Sequence, residues 1–293
     1  MVDPDIKKHL MDNGMDDLLA THFAHLFIRD PLVIFAEDLK SLDLSGSEHF
    51  ENLQSTNWQH MRFKPPPPES DDIGWRVEFR SMEIQPTDFE NAAFAIFIVL
   101  VTRAILSFDL NFYIPIQRTT ENIQTAHARD AVHTQKFYFR KDPFPLPPQR
   151  PKQTNGDVPA ASPAAEFGPV ESEYKLMTIS EIINGSSTTL TDDEPSFPGL
   201  IPLVESYLNS VNVDVETMCA LARYLDLIGK RADGTLWTGS KWIRNFVASH
   251  PEYKHDSVVS ERICYDLVKA VEEMTVKEGK HGSVGWELLR GKK

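Results

Sequence analysis

Glu78 stands between Arg76 and Arg80, two positions away from each, in the stretch GWRVEFRSMEIQPTDFE from Gly74 to Glu90. If that stretch is extended, alternate side chains project from one face about 6.6 to 7 Å apart, which places a guanidinium on each side of the carboxylate. A carboxylate holding a divalent metal beside an arginine holding a phosphate has this composition. So does the salt-bridged outer face of an ordinary sheet. Ion-pair ladders outnumber sites, so the pattern alone leaves both readings open. His22 and His25, three residues apart, lack the neighbouring carboxylate of a helical metal pair and read as packing or capping histidines.

The elements that must position Glu78 are legible around it. Trp75, Val77 and Phe79 alternate with Arg76, Glu78, Arg80 and Met82, the period of a strand with Trp75, Val77 and Phe79 toward a core. Pro86 ends the strand. Thr87-Asp88-Phe89-Glu90 then has the S/T-x-x-E form of a capping box, which opens a helix from Asp88 to about Phe108. Its apolar run, Ala92 to Val101, continued by Thr102, Arg103, Ala104, Ile105 and Leu106, is shorter than the roughly 20 apolar residues of a bilayer span and reads as a core helix packed on all sides.

Elsewhere an amphipathic helix is expected over Asp16 to Ile28, with Leu18, Leu19, Phe23, Leu26 and Phe27 on its apolar side, stopping before Arg29-Asp30-Pro31. Residues 49–64 read as loop and strand, followed by the stiff Pro65–Pro68 run. A strand-like segment, Asn111 to Ile116, precedes a polar helix from Thr119 to about Ala131 and the aromatic FYF of Phe137–Phe139. Four helices follow: Leu200–Leu208, Asp214–Ile228, Thr238–Ala248 and Ser260 to about Met274. In the second, Val215, Met218, Ala222, Leu225 and Ile228 form a stripe expected in the core, Cys219 is expected half-buried beside it, and Gly229 and Gly234 punctuate its end. Pro143 to Glu173 is rich in proline and poor in large apolar groups, too few to offset the entropy of ordering, and reads as a flexible insertion. Its Pro145-Leu146-Pro147-Pro148-Gln149-Arg150 fits a P-x-x-P-x-R ligand, a form common by chance in such sequence. The expected organisation is thus 1–142 carrying the chemistry, 143–173 as the insertion and 174–293 as a helical region.

With 293 residues, 41% of them hydrophobic and 10% aromatic, the chain can bury a sizeable core. A net charge of −13 and a pI near 5.2 argue against nucleic-acid or anionic-membrane partners, which call for clustered Lys and Arg. Small molecules and proteins remain. The two cysteines, Cys219 and Cys264, and the polar N-terminal run MVDPDIKKHLMDNGMDD point to a reducing, cytoplasmic compartment.

Two long strings, HFENLQSTNWQHMRFKPPPP (His49 to Pro68) and GWRVEFRSMEIQPTDFENAAF (Gly74 to Phe94), resemble the catalytic subunit of eukaryotic glutamate-cysteine ligase. The resemblance continues through AHLFIRDPL (Ala24–Leu32), RDAV (Arg129–Val132), FYFRKD (Phe137–Asp142), FPGLIPL (Phe197–Leu203) and HPEYKHDSV (His250–Val258). It covers nearly the whole chain outside the Pro-rich segment. Members of that family are much longer, and this chain resembles only their C-terminal half.

The resemblance implies an α+β fold related to glutamine synthetase, with an antiparallel sheet as catalytic floor, of which this chain keeps part. It implies ATP-dependent joining of the γ-carboxylate of L-glutamate to the amine of L-cysteine through γ-glutamyl phosphate, the first step of glutathione synthesis, with ATP and Mg²⁺ required. Carried over by position, Glu78 matches a metal-binding glutamate and Arg80 an arginine facing the phosphates. Trp58 matches a tryptophan of the amino-acid pocket, and its polar neighbours Ser55, Thr56, Asn57 and Gln59 suit a partly wet wall. Lys64 and Arg62, in MRFK, are candidates for phosphate or carboxylate contacts, held by the proline strut. Lys64 and Arg80 are therefore the expected catalytic and nucleotide-binding pair, Trp58 and Arg62 the substrate-binding pair and Glu78 the metal ligand. In animal relatives a cysteine at the place of Cys219 can pair with a regulatory subunit, so a regulatory partner or self-association is expected too. Two rival readings are a catalytically inactive homologue that regulates or oligomerises with an intact ligase, and a helical scaffold presenting the Pro-rich loop.

Overall fold

A computed structural model describes residues 2–26, 36, 37, 40, 51, 52, 61–64, 66, 67, 72–79, 83–144, 173–186 and 197–281, without the side chains of 61–63, 79 and 275–281. The chain forms two compact units, Met1–Glu83 and Ile84–Lys293. Among the described residues it is mostly helical, with two small antiparallel ribbons, an α+β composition.

The first unit opens with α1, Pro4–Asp12, which the periodicity did not reveal. Its signals were present: the Asp3 carboxylate accepts from the amides of Asp5 and Ile6, and Pro4 sits where a helix needs no N–H. The helix expected over Asp16–Ile28 is α2, Asp17–Leu26. Its buried residues are Ala20, Ala24 and His25, whereas Leu18 and Leu19 are exposed. Small side chains let α1 lie close here, and the Asp3 amide donates to Ala24 O at 3.0 Å. Burial, then the neighbouring His25, lowers the pKa of His22. Strands β1, Met61–Lys64, and β2, Arg76–Phe79, pair antiparallel.

The second unit begins with the expected capping box. Thr87 Oγ1 accepts from the Glu90 amide at 3.2 Å while Glu90 Oε2 accepts from the Thr87 amide at 3.1 Å. Helix α3, Asp88–Phe108, ends at Asp109, whose φ of 51° is left-handed. Ala93, Phe97 and Ala104 of α3 are buried, but Val99 and Leu106 are exposed, Leu106 at 71%, so the helix is not packed on all sides. Its length and composition would suffice to cross a membrane, and two later helices of this unit pack along one side of it.

Asn111–Ile116 is not a strand. Asn111 Oδ1 accepts from the Tyr113 amide at 2.9 Å, the Asn111 amide donates to Pro143 O, and Pro115 has no donor for a ladder. Pro115 instead starts α4, Ile116–Ala126, and a left-handed Asp130 separates it from the short α5, Ala131–Thr134. Strands β3, Lys136–Arg140, and β4, Tyr174–Thr178, flank the Pro-rich segment and pair antiparallel, from Lys136 opposite Thr178 to Arg140 opposite Tyr174. Arg140 bonds the carbonyls of Tyr113 and Asp142 and the Glu173 carboxylate, tying the two ends of that excursion together. The P-x-x-P-x-R run lies outside the described residues.

A second capping box, Thr178 with Glu181, opens α6, Ile179–Asn184. Then come α7, Leu200–Ser210, α8, Val215–Asp233, α9, Gly239–Ser249, and α10, Glu261–His281. All four expected C-terminal helices are present. Gly185 and Gly199 cross so closely that a Cβ on Gly199 would lie 2.4 Å from the Gly185 nitrogen, and both have positive φ. Gly229 lies inside α8 rather than ending it, because the Asn184 amide fills the space beside it and bonds its carbonyl.

Two clusters form the core of this unit. Ala93 and Phe97 of α3 meet Val204 and Leu208 of α7, Leu225, Leu227 and Ile228 of α8, and Leu236 and Met274. Around the β3–β4 ribbon, Met177, Ile182, Phe197 and Leu203 pack with Leu110. The stripe on α8 is therefore partly corrected. Leu225 and Ile228 are core and Met218 packs at its edge, but Val215 and Ala222 face solvent, as does Cys219, since α3 and α7 press on the C-terminal part of the helix. Cys219 and Cys264 are both exposed thiols.

Glu90, fully buried, pairs with Arg231 at the end of α8, whose Nε finds no partner. Burial pulls the Arg231 pKa down, against the attraction of Glu90. Beside it His133 Nδ1 lies 2.9 Å from Asp130 Oδ1 and Nε2 lies 3.0 Å from Arg231 O, while Lys241 Nζ donates to Asp130 Oδ2 at 2.6 Å. Burial alone would raise the Asp130 pKa, but the hydrogen bonds from Lys241 and His133 hold it below the usual carboxylate range.

Candidate functional site

The ribbon of β1 and β2 brings three of the chemically interesting side chains onto one face. Its register sets Arg62 opposite Glu78 and Lys64 opposite Arg76, with Met61 opposite Phe79 and Phe63 opposite Val77. Directly opposed residues share a face, so Lys64, Arg76 and Glu78 occupy the charged one and Val77 the other. Lys64 Nζ lies 2.6 Å from Glu78 Oε2, across the strands and one step along the diagonal, within reach of a long side chain. The two side chains are 30% and 33% exposed, so the pair is reachable from solvent and is worth little in stability.

The strand pattern therefore located the charged face, and the ribbon adds a cross-strand cation, Lys64, to the arginines expected alongside Glu78. No local rule could have named this partner, because register is not written in either strand alone. The apolar face departs from expectation: Trp75 and Val77 are 55% and 45% exposed. Arg62 is placed in register, without its side chain. Trp58 and Arg80 lie outside the described residues, as do Pro65 and Pro68 of the proline run.

One carboxylate with an adjacent ammonium and guanidinium fits the corner of a metal-phosphate site. Mg²⁺ is commonly held by one or two carboxylates together with phosphate oxygens and water. Lysine and arginine supply the donors that anionic oxygens need. Among the described residues no three His, Cys, Asp or Glu side chains gather to hold a metal.

A charged ladder on one face of a ribbon does not by itself name a class of protein, and comparison with known sequences does. The glutamate-cysteine ligase family model matches residues 1–274, and the chain belongs to the glutamate-cysteine ligase family. It is 61% identical to a glutamate-cysteine ligase of Neurospora crassa over 95% of this chain and 41% of that protein. To the glutamate-cysteine ligase catalytic subunit of Mus musculus it is 52% identical over 91% of this chain and 40% of that protein. To a glutamate-cysteine ligase of Schizosaccharomyces pombe it is 50% identical over 92% of this chain and 37% of that protein. The chain thus spans between 37% and 41% of the length of these curated relatives.

Proposed function

We propose that this chain supplies one wall of the active site of an ATP-dependent ligase that joins the γ-carboxylate of L-glutamate to the amine of L-cysteine, the first step of glutathione synthesis. The observation that carries the reading is the Lys64–Glu78 pair on a charged ribbon face, in a chain of this family. A carboxylate is a poor electrophile, and bound ATP with Mg²⁺ supplies the phosphoryl group and the charge that turn it into γ-glutamyl phosphate. On this reading Glu78 would give the metal a carboxylate oxygen, Lys64 and Arg80 would neutralise phosphate oxygens, and Arg62 and Trp58 would serve the amino-acid substrates. The sheet belongs to a larger catalytic floor of the glutamine synthetase-related type, to which the relatives' additional length contributes further carboxylates. The compartment is cytoplasmic. The mouse relative's name, a catalytic subunit, suggests a regulatory partner here too, with exposed Cys219 as a contact.

Glu78→Gln in an enzyme of full family length lowers turnover by about two orders of magnitude or more, because metal charge is lost where phosphoryl charge develops. Steady-state rates across a Mg²⁺ titration read this directly, and turnover near that of the unmodified enzyme would return Glu78 to the role of a surface ion pair.

A further inference from the structure

We propose that His133 is held as an imidazolium and works as a proton-dependent latch between α5 and the end of α8. Its two ring nitrogens both face acceptors: Nδ1 lies 2.9 Å from Asp130 Oδ1, and Nε2 lies 3.0 Å from the carbonyl oxygen of Arg231. A neutral imidazole has one N–H and donates to only one of them, leaving a lone pair against the other, whereas the imidazolium donates to both. Neither neighbour can reverse its role. A backbone carbonyl only accepts. Burial opposes the charge on Asp130, but the hydrogen bonds from Lys241 and His133 hold its pKa below the usual range, so it is a carboxylate. Water has little room to replace a lost partner, because the His133 side chain is 14% exposed and Gly234 closes on the ring, where a Cβ would lie 3.4 Å from Cδ2.

The charges on the packed elements decide how firmly the proton is held. Arg231 of α8 turns its guanidinium to Glu90 of α3, and in α4, which also packs against α5, Arg118 pairs with Glu121. Lys241 of α9 shares Asp130 with His133 and opposes a second cation there. The end of α8 supports it: Arg231 lies in the last turn before Asp233, where free carbonyls carry partial negative charge. His250, at the end of α9, is the contrast within the same unit. Its Nδ1 accepts from the Glu252 amide at 3.2 Å and its Nε2 lies 3.2 Å from Asp266 Oδ2, so a neutral ring protonated on Nε2 satisfies both. Loss of the His133 proton breaks one of its two bonds. It frees either the backbone of Arg231, which closes on buried Glu90, or the Asp130 turn ahead of α5. The stabilisation from His133 is therefore present while the ring is charged and is lost as pH rises through its deprotonation, opposite in direction to that of the carboxylates.

The test uses the full chain. Ring-nitrogen NMR of the protein labelled with ¹⁵N-histidine counts the protons: at a pH where His250 shows one, His133 is expected to show two. The loss of thermal midpoint on His133→Gln is expected to be about 4–8 °C at about pH 6 and no more than half of that at about pH 9. Asp130→Asn keeps a residue type that tolerates the left-handed φ of 55° and offers an amide that can donate to Nδ1. A neutral ring then fits, so in that background the effect of His133→Gln is expected to lose its pH dependence. One ring proton on His133, a His133→Gln loss equal at the two pH values, or a pH dependence that survives Asp130→Asn each overturns the proposal. Should the Gln variant fail to fold, the proton count decides, with the His133 signals assigned by their change on Asp130→Asn.

Discussion

Arg231→Met should be among the most damaging single substitutions in the second unit, and its partner substitution should repair it. Glu90 is fully buried and its carboxylate does two jobs: Oε2 accepts from the Thr87 amide and hydroxyl, and Oε1 pairs with Arg231. Removing the guanidinium strands a buried charge, which costs about 3–5 kcal/mol. In a body of this size each kcal/mol moves the thermal midpoint by about 2–4 °C, so the expected fall is about 6–20 °C. Burial, however, pulls the Arg231 pKa down despite Glu90, and Arg231 Nε is unbonded, so desolvation opposes what the pair gains. The double variant Glu90→Gln/Arg231→Met should therefore lie within about 1 kcal/mol of the unmodified chain, or above it, with the Gln keeping the cap. Hydrogen exchange at the amides of α3 and α8, followed by mass spectrometry, confines the reading to this unit. A loss below about 1 kcal/mol for Arg231→Met, or a double variant as unstable as the sum of its singles, would refute the reasoning.

Gly199→Ala should cost about 3 kcal/mol or more, since its Cβ meets backbone at 2.4 Å and φ is +97°; a thermal midpoint within a degree of the original would count against it. Acid should destabilise the second unit. Asp130, Glu181, Asp214 and Asp266 have lowered folded-state pKa values, so their contribution is complete above the unfolded value of about 4 and is lost as pH falls through the folded values, measurable as a falling denaturation midpoint. Deleting Pro147 to Pro169 should shift the thermal midpoint by only a few degrees, because β3 and β4 are paired and clamped by Arg140 and Glu173 without it; a large loss would show that it contributes to the body. The chain alone should not make γ-glutamylcysteine from ATP, Mg²⁺, glutamate and cysteine, as mass spectrometry for ADP and product would reveal, because on the proposed reading Glu78 is a single metal carboxylate and no cluster of three His, Cys, Asp or Glu forms among the described residues.

What was legible in the sequence was what is local. The Thr87–Glu90 box is specified by a few adjacent residues, and α3 and the start of α8 followed, whereas the end of α8, expected at Ile228, lies at Asp233 before Gly234. The same S/T-x-x-E form at Thr178–Glu181 passed unread because the six residues of α6 are too few for a period, and α1 hid in a polar run whose only marks were Asp3 and Pro4. Long-range facts were the ones missed. Nothing near Glu90 announces Arg231, and nothing near Glu78 announces that Lys64 crosses to it. The exposed faces of Val215, Ala222 and Leu106 depend on which helices arrive, and periodicity reports only that a face is apolar.

The clamp at the base of the β3–β4 ribbon gives the molecule a place where its covalent thread is dispensable. Five paired positions, the Arg140–Glu173 bridge and the packing of α3 against α7 and α8 all join parts of the chain on opposite sides of the Pro-rich excursion. A cut there would leave two polypeptides that recognise each other through an already formed surface. The protein could be made as separate halves that assemble on mixing, or carry a foreign domain at that point, while the rest of the second unit keeps its arrangement.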